Sequence, residues 1–203
     1  MISNQRKLCI VGAGGFGREV LNSLKETYLL QGKQIENEAV FMDDNPIYLN
    51  KKVMNIPVIQ SSKFSPSDYE VVIAVGDPKT RKKIADNLPQ DTKYATLIHP
   101  SAIIMDDCKI GKGSIITAGS IVTCNIHLGK HTHLNLNTTV GHDCRIGDFF
   151  TTAPGVHISG ECNIGDCVYF GTNASVRQGI EINDNVTIGM GGVVVKNISE
   201  EGV

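Results

Sequence analysis

A strict six-residue repeat governs the second half of the chain. Every sixth residue from Ile98 to Val194 is apolar, with Thr152 as the exception. The fifth position of each hexad never carries a charge, and glycine recurs at the second position, as at Gly111 and Gly129. This pattern is typical of a parallel β-helix in which three hexads form one triangular coil. We expect the second-position glycines to form tight corners with positive φ.

The first half follows a different pattern, in which short apolar strands alternate with helices. The segments "KLCIVG", "EAVFMDD" and "YEVVIAVG" are typical of buried strands, and "REVLNSLKETYLL" is typical of an amphipathic helix. A second helix, "DPKTRKKIADNL", is expected to open at Asp77 and Pro78. Strand–helix alternation predicts a small parallel sheet. The predicted fold is therefore a Rossmann-like α/β domain, residues 1–97, followed by a parallel β-helix, residues 98–203.

A glycine-rich turn joins the first strand to the first helix. Gly12, Gly14 and Gly17 match G-x-G-x-x-G, and Asp43 and Asp44 follow the second strand, where an acidic residue can accept ribose hydroxyls. Such a turn binds phosphate through backbone N–H groups and the helix N-terminus, which predicts a nucleotide or nucleotide-sugar site. The domain is long enough for only one mononucleotide-binding half, which disfavours NAD. A structural turn without a ligand stays an alternative.

An ionisable pair, His142 and Asp143, interrupts the repeat. Val140 and Cys144 take the inward positions of that hexad, so the histidine is expected to point outward near a corner. An imidazole beside a carboxylate is a plausible general base, and a surface histidine is the alternative. Because three hexads make one coil, Gly160 should lie directly above the imidazole and leave room for a ligand.

The bulk properties exclude several classes of function. A net charge of −2 gives no footprint for nucleic acid, and no apolar stretch approaches the roughly 20 residues that cross a bilayer. The N-terminal segment does not resemble a signal peptide, so we expect a cytoplasmic protein with reduced cysteines. Cys108, Cys144 and Cys162 share an interior column and should be core residues rather than metal ligands. Cys124, below His142, is expected to be a wall residue, and a thiol nucleophile is a disfavoured alternative.

The order of these motifs resembles one family. The segments "IVGAGGFG", "MDD", "VIAVGD", "LIHPSA" and "VGHDCRIGD", the last of them set within the hexads, are similar to the bacterial sugar O-/N-acyltransferases of the hexapeptide-repeat type, which are sialic acid O-acetyltransferase-like. The resemblance implies a left-handed β-helix and a homotrimer. It also implies acetyl-CoA in a groove between adjacent β-helices and a nucleotide-sugar on the N-terminal domain, without a metal.

The resemblance also implies roles for individual residues. His142 matches the general base, and Asp143 matches the acidic neighbour that raises its basicity. The positions that match the nucleotide-sugar site are Gly14, Gly15, Phe16, Asp43, Asp44, Gly76 and Asn135. The positions that match the acetyl-CoA site are Thr151, Thr172 and Met190, of which Thr151 replaces a histidine found in some members. Members also continue into a short tail beyond the position of Val203.

The expected function is acetyl transfer from acetyl-CoA to a nucleotide-activated amino sugar, by direct attack with a histidine base. A UDP-4-amino-4,6-dideoxy sugar is the first expectation, followed by GDP- and dTDP-linked amino sugars. O-Acetylation of a sialic acid or another sugar is the alternative within the family. A non-catalytic β-helix scaffold and an NAD-dependent oxidoreductase are the alternatives from other classes.

Overall fold

The computed structural model describes residues 6–202, which form two regions of different architecture. Residues 1–5, which contribute to the prediction about a signal peptide, and Val203 lie outside the described residues. Within residues 6–202 no helix has both the length and the apolar character needed to cross a bilayer.

The N-terminal region is a six-stranded sheet with helices. Its strands are β1 (Lys7–Val11), β2 (Ala39–Met42), β3 (Lys52–Val53), β4 (Ile56–Ile59), β5 (Tyr69–Ile73) and β6 (Lys93–Tyr94). Its helices are α1 (Gly15–Leu30), α2 (Ile35–Glu38), α3 (Pro78–Asn87) and two 3₁₀ turns, Pro46–Tyr48 and Ser61–Lys63. The sheet order is β3-β4-β2-β1-β5-β6, and every pair is parallel except β3 with β4.

The two long helices follow from local sequence signals. In α3, Asp77 is the N-cap, and its Oδ1 accepts a hydrogen bond of 2.7 Å from the Thr80 N–H, while Pro78 occupies the first turn. Helix α1 begins at Gly15, shortly before the predicted "REVLNSLKETYLL", and buries one apolar face that includes Leu21 and Leu24. Both predicted helices are therefore present.

The C-terminal region consists of two-residue strands that recur once in every hexad. They are β7 (Leu97–Ile98), β8 (Ile103–Ile104), β9 (Lys109–Ile110), β10 (Ile115–Ile116), β11 (Ile121–Val122), β12 (His127–Leu128), β13 (His133–Leu134), β14 (Thr139–Val140), β15 (Arg145–Ile146), β16 (Thr151–Thr152), β17 (His157–Ile158), β18 (Asn163–Ile164), β19 (Tyr169–Phe170), β20 (Ser175–Val176), β21 (Glu181–Ile182), β22 (Thr187–Ile188) and β23 (Val193–Val194). They form three parallel sheets: the first runs from β7 to β22, the second from β8 to β23 and the third from β9 to β21. This is the predicted parallel β-helix.

The ladder keeps one register from end to end. Each strand pairs with the strand three hexads further along the chain, as in Ile115 with His133 and Thr139 with His157. The lead residues point inward and form the core of the prism. Thr152, the exception in the repeat, is buried among them, and its hydroxyl shares a hydrogen bond of 2.8 Å with Thr138. Its polar atom is therefore satisfied inside the core.

The corners correct one prediction. Positive φ occurs at the fourth position of the hexads, as at Asp107, Asn125 and Asp143, and the second-position glycines do not have it. Those glycines are required for another reason, because a Cβ on Gly111 would collide with the backbone of Gly129 in the next coil. Close stacking of coils, and not left-handed backbone, explains glycine at the second position.

We name the three corners of the prism after the sheets that they join. The first edge joins the first and second sheets, the second edge joins the second and third, and the third edge joins the third and first. The N-terminal domain packs on the first sheet, where the outward side chains Ile115, His133 and Thr151 are buried. Strand β6 ends at Tyr94 and the ladder begins at Leu97, so the two regions separate between these residues.

A buried arginine joins the two regions. Arg81, on α3, is fully buried. Its guanidinium donates to the carbonyls of Val75 and Gly76 in the N-terminal domain and, across the junction, to the Thr151 hydroxyl at 2.7 Å. The other acceptors across the junction are the carbonyl oxygens of His131, Phe149 and Phe150. Burial lowers the pKa of Arg81 to about 9, so the side chain stays charged at neutral pH.

Candidate active site

His142 projects outward from the second edge, as predicted. Its side chain is 48% exposed, and its Nδ1 lies 2.7 Å from Oδ2 of Asp143. An ionised carboxylate can only accept a hydrogen bond, so Nδ1 carries the proton. Nε2 then keeps its lone pair, and within residues 6–202 it makes no hydrogen bond. This is the protonation state that a general base needs.

A neighbour in the coil below fixes the carboxylate. The Asn125 amide donates a hydrogen bond of 2.6 Å to Oδ1 of Asp143. This bond, and then the one from His142, lowers the pKa of the Asp143 carboxyl below its ordinary value. Asp143 therefore remains ionised at neutral pH, holds the imidazole in one orientation and would stabilise a protonated ring.

Gly160 makes room for the imidazole itself. A Cβ at Gly160 would lie 2.6 Å from Nε2 and 2.7 Å from Cε1 of His142. The prediction that this glycine leaves space for a ligand above the ring is wrong in that respect, because the ring rests against the glycine. A side chain at Gly160 would therefore collide with the imidazole in its present position.

A third ionisable side chain lies beside this pair. One nitrogen of His142, one oxygen of Asp143 and one oxygen of Glu161 lie within 4.8 Å of one another, and all three residues are exposed. Within residues 6–202 this is the one group of three such side chains with the spacing of metal ligands. Exposed acidic groups commonly lie together without a metal, and the absence of a metal from the mechanism stays a prediction.

The glycine turn of the N-terminal domain leaves the N-terminus of α1 uncrowded. Gly12 has φ of +98°, and a Cβ on Gly17 would collide with the Gly12 carbonyl oxygen, so close packing requires both glycines. A Cβ on Gly14 or Gly15 would meet nothing within 4 Å. The space in front of the N-terminus of α1 is therefore open to a ligand.

The acidic pair after β2 shapes the loops around this turn. Asp43 accepts hydrogen bonds of 2.9 Å from the backbone N–H groups of Ala13 and Asn45. Asp44 accepts one of 2.8 Å from the N–H of Ser61. Both carboxylates thus have structural partners beside the open N-terminus, and their roles in binding sugar stay predictions.

Phe16 and Gly76 lie at the junction of the two regions. The Phe16 ring packs against His133, with centroids 5.2 Å apart. Gly76 presents open space at its Cα and offers its carbonyl to Arg81 at 3.1 Å. The structure therefore brings both residues to the face of the N-terminal domain that meets the β-helix.

The remaining predicted residues divide between two places. Asn135, Thr172 and Met190 lie on the first edge, and Met190 is 80% exposed. Thr151 is buried beneath the N-terminal domain, where its hydroxyl accepts a hydrogen bond from Arg81. Within one protomer, strands of the second sheet separate these residues from His142, and their roles toward acetyl-CoA and the acceptor stay predictions.

A cavity of about 690 Å³ lies away from all of these residues. It is between α1 and the first coils, and Leu24, Tyr28, Leu97 and Thr117 are among the residues that line it. None of the predicted site residues lines it, so size alone does not identify the active site here.

Sequence reasoning missed three residues. Asn125, Glu161 and Arg81 contact the predicted residues, although none of them was predicted. Asn125 and Glu161 stand one coil before and one coil after Asp143, so a comparison at the period of the coil would have found them. The sequence does not distinguish Arg81 in this way, because Arg81 stands among lysines in a segment typical of a solvent-exposed helix.

Comparison with known proteins identifies the family. A GDP-perosamine N-acetyltransferase of Escherichia coli O157:H7 is 32% identical over 186 residues, which cover 90% of this chain and 82% of that protein. The chain belongs to the hexapeptide-repeat sugar acyltransferases. Residues 7–88 match the family described as the PglD N-terminal domain. A UDP-N-acetylbacillosamine N-acetyltransferase of Bacillus subtilis (strain 168) is 31% identical over 122 residues, covering 56% of this chain and 52% of that protein.

A solved structure agrees with this assignment. The acetyltransferase domain of PglB from Neisseria gonorrhoeae FA1090, in complex with acetyl coenzyme A, is 32% identical and superimposes with a TM-score of 0.84 over 96% of this chain and 93% of that one. The likeness confirms the predicted fold class, including the left hand of the β-helix. Membership of the family makes this hexapeptide-repeat protein an acyltransferase, as predicted, and leaves the scaffold and oxidoreductase alternatives without support.

Proposed function

We propose that this acyltransferase moves the acetyl group of acetyl-CoA to the amine of a nucleotide-linked amino sugar, with His142 as the general base. The observation that carries the proposal is the 2.7 Å contact between Nδ1 of His142 and Asp143, which leaves Nε2 unprotonated on an exposed edge. The relative from Escherichia coli is named for N-acetylation of GDP-perosamine, and the PglB domain is described as binding acetyl coenzyme A.

The proposed reaction is a direct transfer in which both substrates are bound together. The amine attacks the thioester carbonyl carbon, and Nε2 of His142 takes a proton from the attacking nitrogen. The carbon–sulfur bond then breaks, and the imidazolium passes that proton to the sulfur, so the coenzyme leaves as its thiol. Asp143 stabilises the imidazolium formed in this step. A general base contributes about 10²- to 10⁴-fold to such a rate.

The position of the predicted residues supports a homotrimer. Asn135, Thr172 and Met190 are on the first edge, whereas His142 is on the second, so these groups can converge on one substrate where the first edge of one protomer meets the second edge of another. The second sheet, between these edges, exposes apolar side chains at Ile103 and at Val193, which is 71% exposed. Exposed apolar surface of this kind favours association with another chain.

The identity of the acceptor sugar is the most specific part of the proposal. The predicted acceptor is a UDP-4-amino-4,6-dideoxy sugar, and the name of the relative from Bacillus subtilis also specifies UDP. The relative from Escherichia coli, which spans most of this chain, is named for a GDP-linked sugar, which makes the GDP-linked counterpart the second candidate. O-Acetylation of a sialic acid and the cytoplasmic location stay predictions.

Two substitutions test the base. We expect His142→Ala to reduce turnover by about 10²- to 10⁴-fold, because the attacking nitrogen loses its proton acceptor. We expect Asp143→Asn to reduce kcat by at least about 10²-fold, because an amide that donates to Nδ1 favours the wrong tautomer. Release of the coenzyme thiol, followed with a thiol-reactive dye for UDP- and GDP-linked amino sugars, measures both.

The controls separate chemistry from binding. Calorimetric titration should show that both variants bind acetyl-CoA as the wild type does, and both should melt at its temperature, because the two side chains are exposed. Near-normal turnover by His142→Ala would refute the assignment of the base. A wild-type protein that acetylates no nucleotide-linked amino sugar would refute the proposed function as a whole.

A further inference from the structure

Glu161 lies one coil above Asp143 on the second edge, and the proposed mechanism does not use it. Its carboxylate is within 4.8 Å of a carboxylate oxygen of Asp143 and of a ring nitrogen of His142. The Glu161 backbone N–H also donates a hydrogen bond of 2.7 Å to the His142 carbonyl, which holds the two corners together. Glu161 therefore adds a second negative charge beside the general base.

Among the left-handed corners of the second edge, Glu161 carries the longest side chain. Its φ is +59°, in the left-handed region, which Gly, Asn and Asp tolerate better than longer residues do. The corresponding corners of the other coils carry such residues: Asp107, Asn125, Asp143 and Gly179. Other hexads place Phe149 and Cys167 at the same left-handed position, so the conformation by itself assigns no role to Glu161. What distinguishes Glu161 is its charge beside His142.

We propose that Glu161 binds the amino group of the acceptor and makes the site prefer an amine to a hydroxyl. This inference rests on the proposed function. An amine on a sugar ring is comparable to an α-amino group, whose pKa is about 8, so it arrives at neutral pH mostly as an ammonium ion. A carboxylate attracts that charge and gains little from a neutral hydroxyl.

The same charge acts during the reaction. The ammonium ion first loses one proton to solvent water to become a nucleophile, and its nitrogen becomes positive again as it bonds to the thioester carbon. His142 then removes the second proton. Glu161 is beside the nitrogen in both charged states, and Asp143, whose oxygens are engaged by Asn125 and His142, is less free to receive it.

The test compares two acceptors that differ in one group. One is the nucleotide-linked 4-amino sugar that the wild type acetylates, and the other carries a hydroxyl in place of the amine. Glu161→Gln should weaken binding of the amino sugar about tenfold, the size expected for one charge-assisted hydrogen bond at an exposed site. Binding of the hydroxyl sugar and of acetyl-CoA should change less than about twofold on the same scale.

Two further variants make the result specific. Glu181→Gln removes a carboxylate from an exposed position on β21 and should leave the affinity for both acceptors unchanged. Glu161→Asn suits the left-handed backbone, so it should lose the preference for the amine while melting no lower than the wild type.

The possible outcomes distinguish a failure of the role of Glu161 from a failure of the proposed function. An equal loss for both acceptors, or an unchanged affinity for the amino sugar in an active Glu161→Gln enzyme, would overturn the role of Glu161 and leave the proposed function standing. A wild type that is inactive with every nucleotide-linked amino sugar would overturn both.

Discussion

Replacing Arg81 should destabilise the junction between the two regions of the protein. Its guanidinium makes six hydrogen bonds, to Val75, Gly76, His131, Phe149, Phe150 and Thr151. Within residues 6–202 the carbonyls of His131 and Phe149 have no other donor, and both residues are buried. In Arg81→Met these carbonyls would be left unsatisfied, because methionine fills the space but donates nothing.

The expected loss of stability follows from those orphaned groups. A buried carbonyl without a partner costs about 1–3 kcal/mol, and breaking a buried charged network typically costs about 3–5 kcal/mol. Arg81→Met should therefore lower the free energy of unfolding of the junction by about 3–5 kcal/mol. For a chain of this size that corresponds to a fall of about 10 °C in the melting temperature.

Circular dichroism can assign the loss to one region. All the α-helices within residues 6–202 belong to the N-terminal region, so the far-ultraviolet helical signal reports that region. We expect this signal to be lost at a lower temperature in Arg81→Met than in the wild type. The shift should be smaller in Arg81→Lys, which keeps the charge but not the planar fork of hydrogen-bond donors. Lys79→Met, an exposed change on the same helix, is the control. A variant Arg81→Met that melts within about 2 °C of the wild type would refute the reasoning, because even one orphaned carbonyl should cost more.

Two other predictions concern the imidazoles and the glycines. Burial lowers the pKa of His131 from 6.5 to about 4, and it lowers the pKa of His133 as well. The unfolded chain therefore binds more protons between pH 6.5 and 4, so the free energy of unfolding should fall by about 3 kcal/mol for His131 as the pH decreases through this window. Urea titrations at several pH values measure this fall, and a flat profile would contradict it. Gly160→Ala should displace the His142 ring and reduce kcat by about 10- to 100-fold with little change in melting, whereas Gly129→Ala, whose Cβ would meet backbone, should lower the melting temperature. Equal melting of the two glycine variants would contradict the distinction.

The repeat made the β-helix predictable, but not the reason for each glycine. A fixed period of three hexads per coil follows from the uninterrupted repeat, and the ladder keeps that register. The sequence shows that Gly111 is glycine without showing whether φ or crowding requires it. The better signal for left-handed corners was the frequency of Asn and Asp at the fourth position, as at Asn125, Asn137 and Asp143. Polar residues with short side chains mark those corners more reliably than glycine does here.

His142 and Asp143, which the six-residue repeat places on an outward corner, were predicted from the sequence. Arg81, which is set by the packing of the N-terminal domain on the β-helix, was missed. His142 and Asp143 are adjacent in sequence, so their contact needed only an outward corner. Arg81 became a buried residue because α3 packs onto the third edge, and nothing in "KTRKKI" distinguishes it from the lysines around it. Charged residues are normally exposed, and within α3 tertiary packing overrides that expectation at Arg81.

The ladder also explains how one edge can bring several polar side chains together around His142. Parallel pairing places residues three hexads apart next to one another, so Asn125, Asp143 and Glu161 are stacked on the second edge regardless of the substrate. The orientation of the His142 ring and the charge beside it are thus properties of the β-helix alone. Arg81 joins the N-terminal domain, which carries the open turn before α1, to the β-helix. If the proposed roles hold, changes on the second edge should alter proton transfer and the choice between amine and hydroxyl, whereas changes at the junction should alter the position of the proposed nucleotide site.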